Sequence, residues 1–178
     1  PPFASTKDFV AACAEMASRI PADKMAAQGK EGWMFGKSEL LHLTRDTDLA
    51  SHDNEAFQAI LDFRSQLEKK GIELVLVPVP PKAVVCADKL DKSADKAKMA
   101  KDCRYDQKLA GLYAELAKSG VKIIDLTPEF IVRQAEGENM YCRQDTHWSG
   151  NGCAAAAGLI AAEIKGRPWY KKEGAAKF

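Results

Sequence analysis

Apolar residues recur along this chain with two different periods, and the periods divide it into helices and strands. Over residues 6–20, Phe9, Val10, Cys13, Met16 and Ile20 fall at helical spacing, with Thr6 a candidate cap and Pro21 a stop. Phe57, Ile60, Leu61, Phe63 and Leu67 repeat the pattern over 54–70, which ends at Lys69-Lys70-Gly71. Tyr105, Leu109, Leu112, Tyr113 and Leu116 do so over 104–118, and Gly120 closes that segment. Residues 154–164, rich in alanine, read as a packed helix, and Pro128 opens a short one running to about Ala135.

Between these lie shorter runs of strand character. Residues 72–77, Ile-Glu-Leu-Val-Leu-Val, are nearly continuous and apolar, as a buried parallel strand requires. They meet Pro78-Val79-Pro80-Pro81-Lys82, which cannot continue a central strand. Val121-Lys122-Ile123-Ile124-Asp125-Leu126 forms a second run. Gly32-Trp33-Met34-Phe35-Gly36 forms a third, with residues 40–43 as the expected hairpin partner. Helix and strand in alternation predict a layered α/β fold with a mostly parallel sheet, in one domain spanning 1–178. Ligand sites of such sheets lie beyond the carboxyl ends of the strands. There residues 78–82, 125–128 and 145–148 are expected to gather.

Composition narrows the class without choosing a function. The 178 residues are 46% hydrophobic and 29% charged, with a formal net charge of +1, typical of a globular chain able to bury roughly 70% of its unfolded surface. This balance gives no argument for nucleic acid. The lysines of 88–102 alternate with aspartates and read as a mixed solvated face. No apolar run approaches the roughly 20 residues of a membrane span. Cys13, Cys86, Cys103, Cys142 and Cys153 show no Cys-x-x-Cys spacing, and His42 and His52 lack the i,i+4 spacing of common metal sites, so no metal is expected. The cysteines are compatible with two disulfides and one thiol, or with five buried thiols. The opening Pro1-Pro2-Phe3 has no initiator methionine, as expected of a processed or trimmed chain.

The densest chemistry lies in Gln144-Asp145-Thr146-His147-Trp148-Ser149-Gly150. Asp145 and His147 are two apart, which on an extended segment aims both at the same face. A carboxylate beside an imidazole fixes the tautomer and stabilises the cation, as a general base for a serine hydroxyl requires. The competing reading is that the pair is satisfied locally, capping a helix that starts near Ser149. Trp148 suits either a sugar platform or the core. Cys142 is close by, but no feature suggests a lowered thiol pKa.

Gly32-Trp33-Met34-Phe35, Val77-Pro78-Val79-Pro80-Pro81-Lys82 and Asp145-Thr146-His147-Trp148 occur in this order. Together they resemble the SGNH-hydrolase-like domain of bacterial alginate O-acetylation proteins, the AlgJ/AlgX type, over roughly 28–165. The resemblance implies a three-layer, flavodoxin-like SGNH fold with a mostly parallel central sheet, its C-terminal part expected to be truncated. It also implies an exported, periplasmic protein that moves acetyl groups onto an exopolysaccharide without metal or organic cofactor. A membrane-bound acetyltransferase is an implied partner. Carried onto this chain, His147 is the base and Asp145 orients it. Arg143, Trp148 and Lys82 are candidate contacts to an acidic exopolysaccharide, against bland readings as a partner of Asp145, a core aromatic and a solvated turn lysine.

The resemblance also implies a serine after the Asp-x-His pair, in a Gly-flanked turn between strand and helix. None of Ser5, Ser18, Ser38, Ser51, Ser65, Ser93, Ser119 and Ser149 stands in such a turn; Gly36-Lys37-Ser38 is the nearest imitation. The expectation is that the nucleophile lies beyond Phe178, residues 166–178 being a connecting segment. Two further functions stay open: a non-catalytic polysaccharide-binding or scaffold domain of an acetylation and export complex, and an ordinary secreted esterase.

Overall fold

A computed structural model describes residues 2–91 and 104–170. Helix α1 spans Thr6–Ser18, and its cap is Ser5 rather than Thr6: the Ser5 side chain accepts from the Asp8 amide. Strand β1 (Ala26–Gln28) pairs antiparallel with β2 (Met34–Gly36), and α2 (Lys37–Thr44) follows directly. The hairpin partner of the Trp33 strand is therefore β1, and the expected partner, residues 40–43, is helical. Leu40 is fully buried while Leu41 is 43% exposed. Over so short an apolar run, periodicity does not distinguish helix from strand.

Helix α3 (Glu55–Glu68) is capped by Asn54, whose side chain accepts from the Ala56 and Phe57 amides. Strand β3 (Val75–Leu76) pairs in parallel with β4 (Lys122–Ile123). Between them lie α4 (Lys82–Val85) and α5 (Gln107–Lys118); α6 (Thr127–Ala135) and α7 (Gly150–Lys165) complete the order. The parallel pairing of the two best strand segments is as expected, but the broad, mostly parallel central sheet is not seen. Among the described residues the sheets are two-stranded.

The main core joins α1, β2, α4, α6 and α7 through Phe9, Phe35, Val84, Leu126, Phe130 and Met140. Phe9 stacks on Tyr105 with centroids 4.6 Å apart, and Phe3 meets both rings edge-on. A smaller core gathers Phe57, Leu116 and Val121 beneath β3 and β4. Phe63, expected on the buried face of α3, is 54% exposed.

The charged run after α4 begins in the interior. Asp88 and Lys89 are only 4% and 6% exposed, and Lys89 Nζ donates to Glu31 Oε2 at 2.7 Å. The solvated reading of 88–102 thus fails for its first residues, and 92–102 lie outside the described residues. Gly29 explains part of the tightness: a Cβ there would sit 2.3 Å from the Lys89 carbonyl. Cys13, Cys86, Cys142 and Cys153 are free thiols, of which only Cys13 and Cys86 are buried; Cys103 lies outside the described residues. Among the described residues no helix is long and apolar enough to cross a membrane, and no three His, Cys, Asp or Glu side chains group as metal ligands.

Candidate active site

Residues 141–148 form a closed loop, and the reason is local. Tyr141 and Trp148 pair in an antiparallel bridge, with the Cys142 amide donating to the His147 carbonyl at 3.0 Å. The Ser149 amide then donates to the Met140 carbonyl at 3.0 Å, and the Ser149 side chain caps α7 by accepting from the Gly152 amide. Gly152 permits this closure, because a Cβ there would lie 2.3 Å from the Met140 carbonyl oxygen.

Asp145 and His147 stand on this loop and touch. Asp145 Oδ1 lies 2.7 Å from His147 Nδ1 and also accepts from the His147 amide at 3.2 Å. The segment is a turn rather than the extended stretch expected: an aspartate two residues before an amide folds back to accept from it. The pairing predicted from the spacing of two thus arises by another geometry, and helix capping belongs to Ser149. The hydrogen bonds from the His147 ring and amide hold the Asp145 carboxyl below its usual range. A carboxylate at Nδ1 keeps the proton there and leaves Nε2 as the basic nitrogen, the tautomer a general base needs. Both side chains are exposed, His147 at 83%.

No hydroxyl group among the described residues hydrogen-bonds to the His147 ring. Ser149 Oγ is occupied, donating to the Asn139 carbonyl and accepting from Gly152. Ser38 lies in the first turn of α2, and Ser93 is outside the described residues. Buried Cys13 is no substitute, since desolvation pushes its thiol up to about 12, and burial pushes Cys86 higher still.

Around the pair, the candidate contacts separate. Arg143 is exposed; its carbonyl accepts from the Met34 amide at 2.8 Å, and among the described residues its side chain makes no ion pair with Asp145. Trp148 is half-buried, its ring edge-on to Phe130 at 5.5 Å and its Nε1 donating to the Tyr141 hydroxyl at 3.1 Å. That hydroxyl donates in turn to the Pro80 carbonyl.

Lys82 corrects the expectation of a surface contact, because it is 1% exposed and turned inward. Its Nζ donates to the carbonyls of Met34 and Cys142 at 2.7 Å, Asp145 at 2.8 Å and Arg143 at 3.2 Å. Residues 78–82 and 145–148 therefore do converge. Asp125 is instead bound to Arg104 Nη1 at 2.5 Å, and Arg104 also grips the fully buried Asp106 carboxylate at 2.8 and 3.1 Å.

Glu39 went unread in the sequence. Its carboxylate accepts from the Lys82 and Ala83 amides at 3.1 and 2.7 Å, capping α4 from α2. Burial raises its pKa against those hydrogen bonds and the Lys82 charge. No local signal marks a carboxylate 43 residues away in sequence from the amide it caps. A cavity of about 500 Å³ lies elsewhere, among Val10, Leu43, Leu49, Tyr105 and Leu109, and neither Asp145 nor His147 lines it.

The family model for the SGNH-hydrolase-like domain of acetyltransferase AlgX matches residues 26–178. The chain belongs to this AlgX SGNH-hydrolase-like family. It is 29% identical over 149 residues to the alginate biosynthesis protein AlgX of Pseudomonas fluorescens, covering 80% of this chain and 29% of that protein. To a probable alginate O-acetylase AlgJ of Pseudomonas syringae pv. tomato it is 30% identical over 145 residues, covering 79% and 35%. It thus spans about a third of the length of these curated relatives.

Among solved structures, Pseudomonas aeruginosa AlgX superposes with a TM-score of 0.59 at 24% identity, covering 81% of this chain and 32% of that one. Bacillus cereus PatB1 bearing a sulfonyl adduct superposes with a TM-score of 0.54 at 18% identity, covering 85% and 47%. The α/β fold of the family is therefore this chain's fold.

Proposed function

We propose that this chain supplies the base of a serine-type O-acetyl-transfer site acting on an exopolysaccharide in the periplasm. The observation that carries this reading is the 2.7 Å contact between Asp145 Oδ1 and His147 Nδ1, which leaves Nε2 as the proton acceptor. The alginate-biosynthesis and O-acetylase names of the curated relatives support the substrate class. His147 takes the proton of a serine hydroxyl supplied from outside the described residues, and that oxygen attacks the acetyl carbonyl. The donor leaves with the proton returned by His147. A sugar hydroxyl, deprotonated by the same imidazole, then takes the acetyl group and frees the serine. Asp145 stabilises the imidazolium formed at each stage. The exposed Arg143 is the proposed contact for a uronate carboxylate, which a guanidinium recognises with paired hydrogen bonds.

His147→Ala in the full natural protein is expected to lower acetyl turnover by at least 10³-fold with an unchanged circular dichroism spectrum. Retained turnover removes His147 from the mechanism. The lack of a hydroxyl on His147 among the described residues favours one second reading, a polysaccharide-binding or scaffold domain without catalysis. That reading predicts polymer binding unchanged by His147→Ala but weakened by Arg143→Ala.

A further inference from the structure

Lys82 is a lysine buried to 1% exposure. A fully buried ammonium is costly unless its charge is neutralised and its protons are all used. Here no carboxylate lies within ion-pairing distance of Nζ among the described residues. Its three protons face the four carbonyl oxygens of Met34, Cys142, Arg143 and Asp145, and the rings of Trp33 and Phe35 flank it at 5.1 and 5.5 Å. Burial pulls its pKa below the ordinary lysine value, against the opposing pull of negative groups around it, Glu39 and Asp145 among them.

Three of the four acceptors belong to the loop that carries the catalytic pair. The fourth, Met34, donates its own amide to Arg143, so the lysine also closes β2 against that loop. At Asp145 the two functions meet on one residue. Its carbonyl is fixed by Lys82 at 2.8 Å, and its carboxylate holds the His147 ring at 2.7 Å. Upstream, Glu39 holds the Lys82 and Ala83 amides. Hydrogen bonds at the two ends of Lys82, and at the carbonyl and carboxylate of Asp145, thus connect α2 to the imidazole. Without the ammonium, residues 142–145 would present inward-facing carbonyls to a void, and the loop would have to turn them outward.

We propose that Lys82 is the positioning residue of the Asp145–His147 pair, its buried ammonium acting as the hub around which the loop is wound. The inference rests on the acetyl-transfer reading for its functional consequence, but not for its structural one. Lys82 touches no reacting atom; it fixes the backbone from which the orienting carboxylate projects.

The test is Lys82→Met, which keeps the stem and removes the charge. In the unmodified chain the ¹⁵N shifts of neutral His147 are expected to report the proton on Nδ1. In Lys82→Met they are expected to move to the values of an Asp145→Ala reference, with the proton on Nε2. In the full natural protein, hydrolysis of 4-nitrophenyl acetate is expected to fall about 100-fold in kcat, the scale of a misplacement near 1 Å. A folded Lys82→Met that keeps the Nδ1 tautomer overturns the proposal. If Lys82→Met does not fold, through-hydrogen-bond coupling is sought in the unmodified chain from Lys82 Nζ to the carbonyl carbons of Cys142, Arg143 and Asp145. Coupling to them is expected, and its absence overturns the hub.

The two readings fail separately. Unchanged turnover in His147→Ala removes the acetyl-transfer mechanism while leaving the tautomer result intact. Loss of turnover in His147→Ala, beside an unchanged tautomer in Lys82→Met, removes the hub alone.

Discussion

Gly152→Ala tests whether the closure of the 141–148 loop depends on the near contact between α7 and residue 140. An added Cβ would lie 2.3 Å from the Met140 carbonyl oxygen and 3.2 Å from Trp148 Cβ. Ordinary separations are about 3.5 Å, so the carbonyl or the helix start must retreat by roughly 1 Å. Overpacking of this kind costs about 1–3 kcal/mol. The Ser149 amide would also lose its 3.0 Å bond to the displaced carbonyl, worth about 1 kcal/mol. Against these stands the helix preference for alanine, at most about 1 kcal/mol. The balance is a destabilisation of about 2 kcal/mol, or a fall in Tm of roughly 4–8 °C for a chain of this size. Urea unfolding followed by circular dichroism reads it. Gly158→Ala is the control in the same helix, since a Cβ there meets nothing within 4 Å, and it should stabilise by about 0.5–1 kcal/mol. If both variants stabilise equally, the close approach between Gly152 and Met140 does not exist and the account of loop closure fails.

Two other perturbations probe the electrostatics. Arg104→Met strips its partner from the Asp106 carboxylate, whose side chain is fully buried, and is expected to cost about 3–5 kcal/mol in urea unfolding; a loss under about 1 kcal/mol would show that the pair is dispensable. Asp145 has a folded pKa below its unfolded value, so its contribution is complete above the unfolded pKa, near 3.9, and is lost as pH falls through the folded pKa. The stability difference between the unmodified chain and Asp145→Asn should accordingly shrink as pH is lowered beneath about 4. A difference that grows on acidification would contradict the pairing.

Much of this was legible in the order of residues because it depends on neighbours in sequence. The helices containing Phe9, Phe57 and Leu116 follow from apolar spacing, although their boundaries were less legible: Ser5 rather than Thr6 caps α1, and the caps at Asn54 and Ser149 went unread. The pairing of Asp145 and His147 was expected from two side chains on one face of an extended segment, and it arises instead because the aspartate folds back to accept from the His147 amide. The backbone beneath them is a turn and not a strand. What the sequence could not specify is what joins distant segments. The choice of β1 as partner for β2 was hidden, because residues 40–43 are a short apolar run that periodicity cannot assign, and they form a turn of α2. Lys82, adjacent to Pro81, reads as a solvated turn lysine, yet its acceptors lie 48 to 63 residues away. Glu39 likewise acquires its role from an amide 43 residues distant, and Arg104 joins Asp106 to Asp125, 21 residues away. Local hydrogen bonds and periodicity are properties of short segments. The burial of a charge is decided only when the whole chain has closed around it, and here that closure turns a lysine from a surface group into the centre of the loop carrying His147.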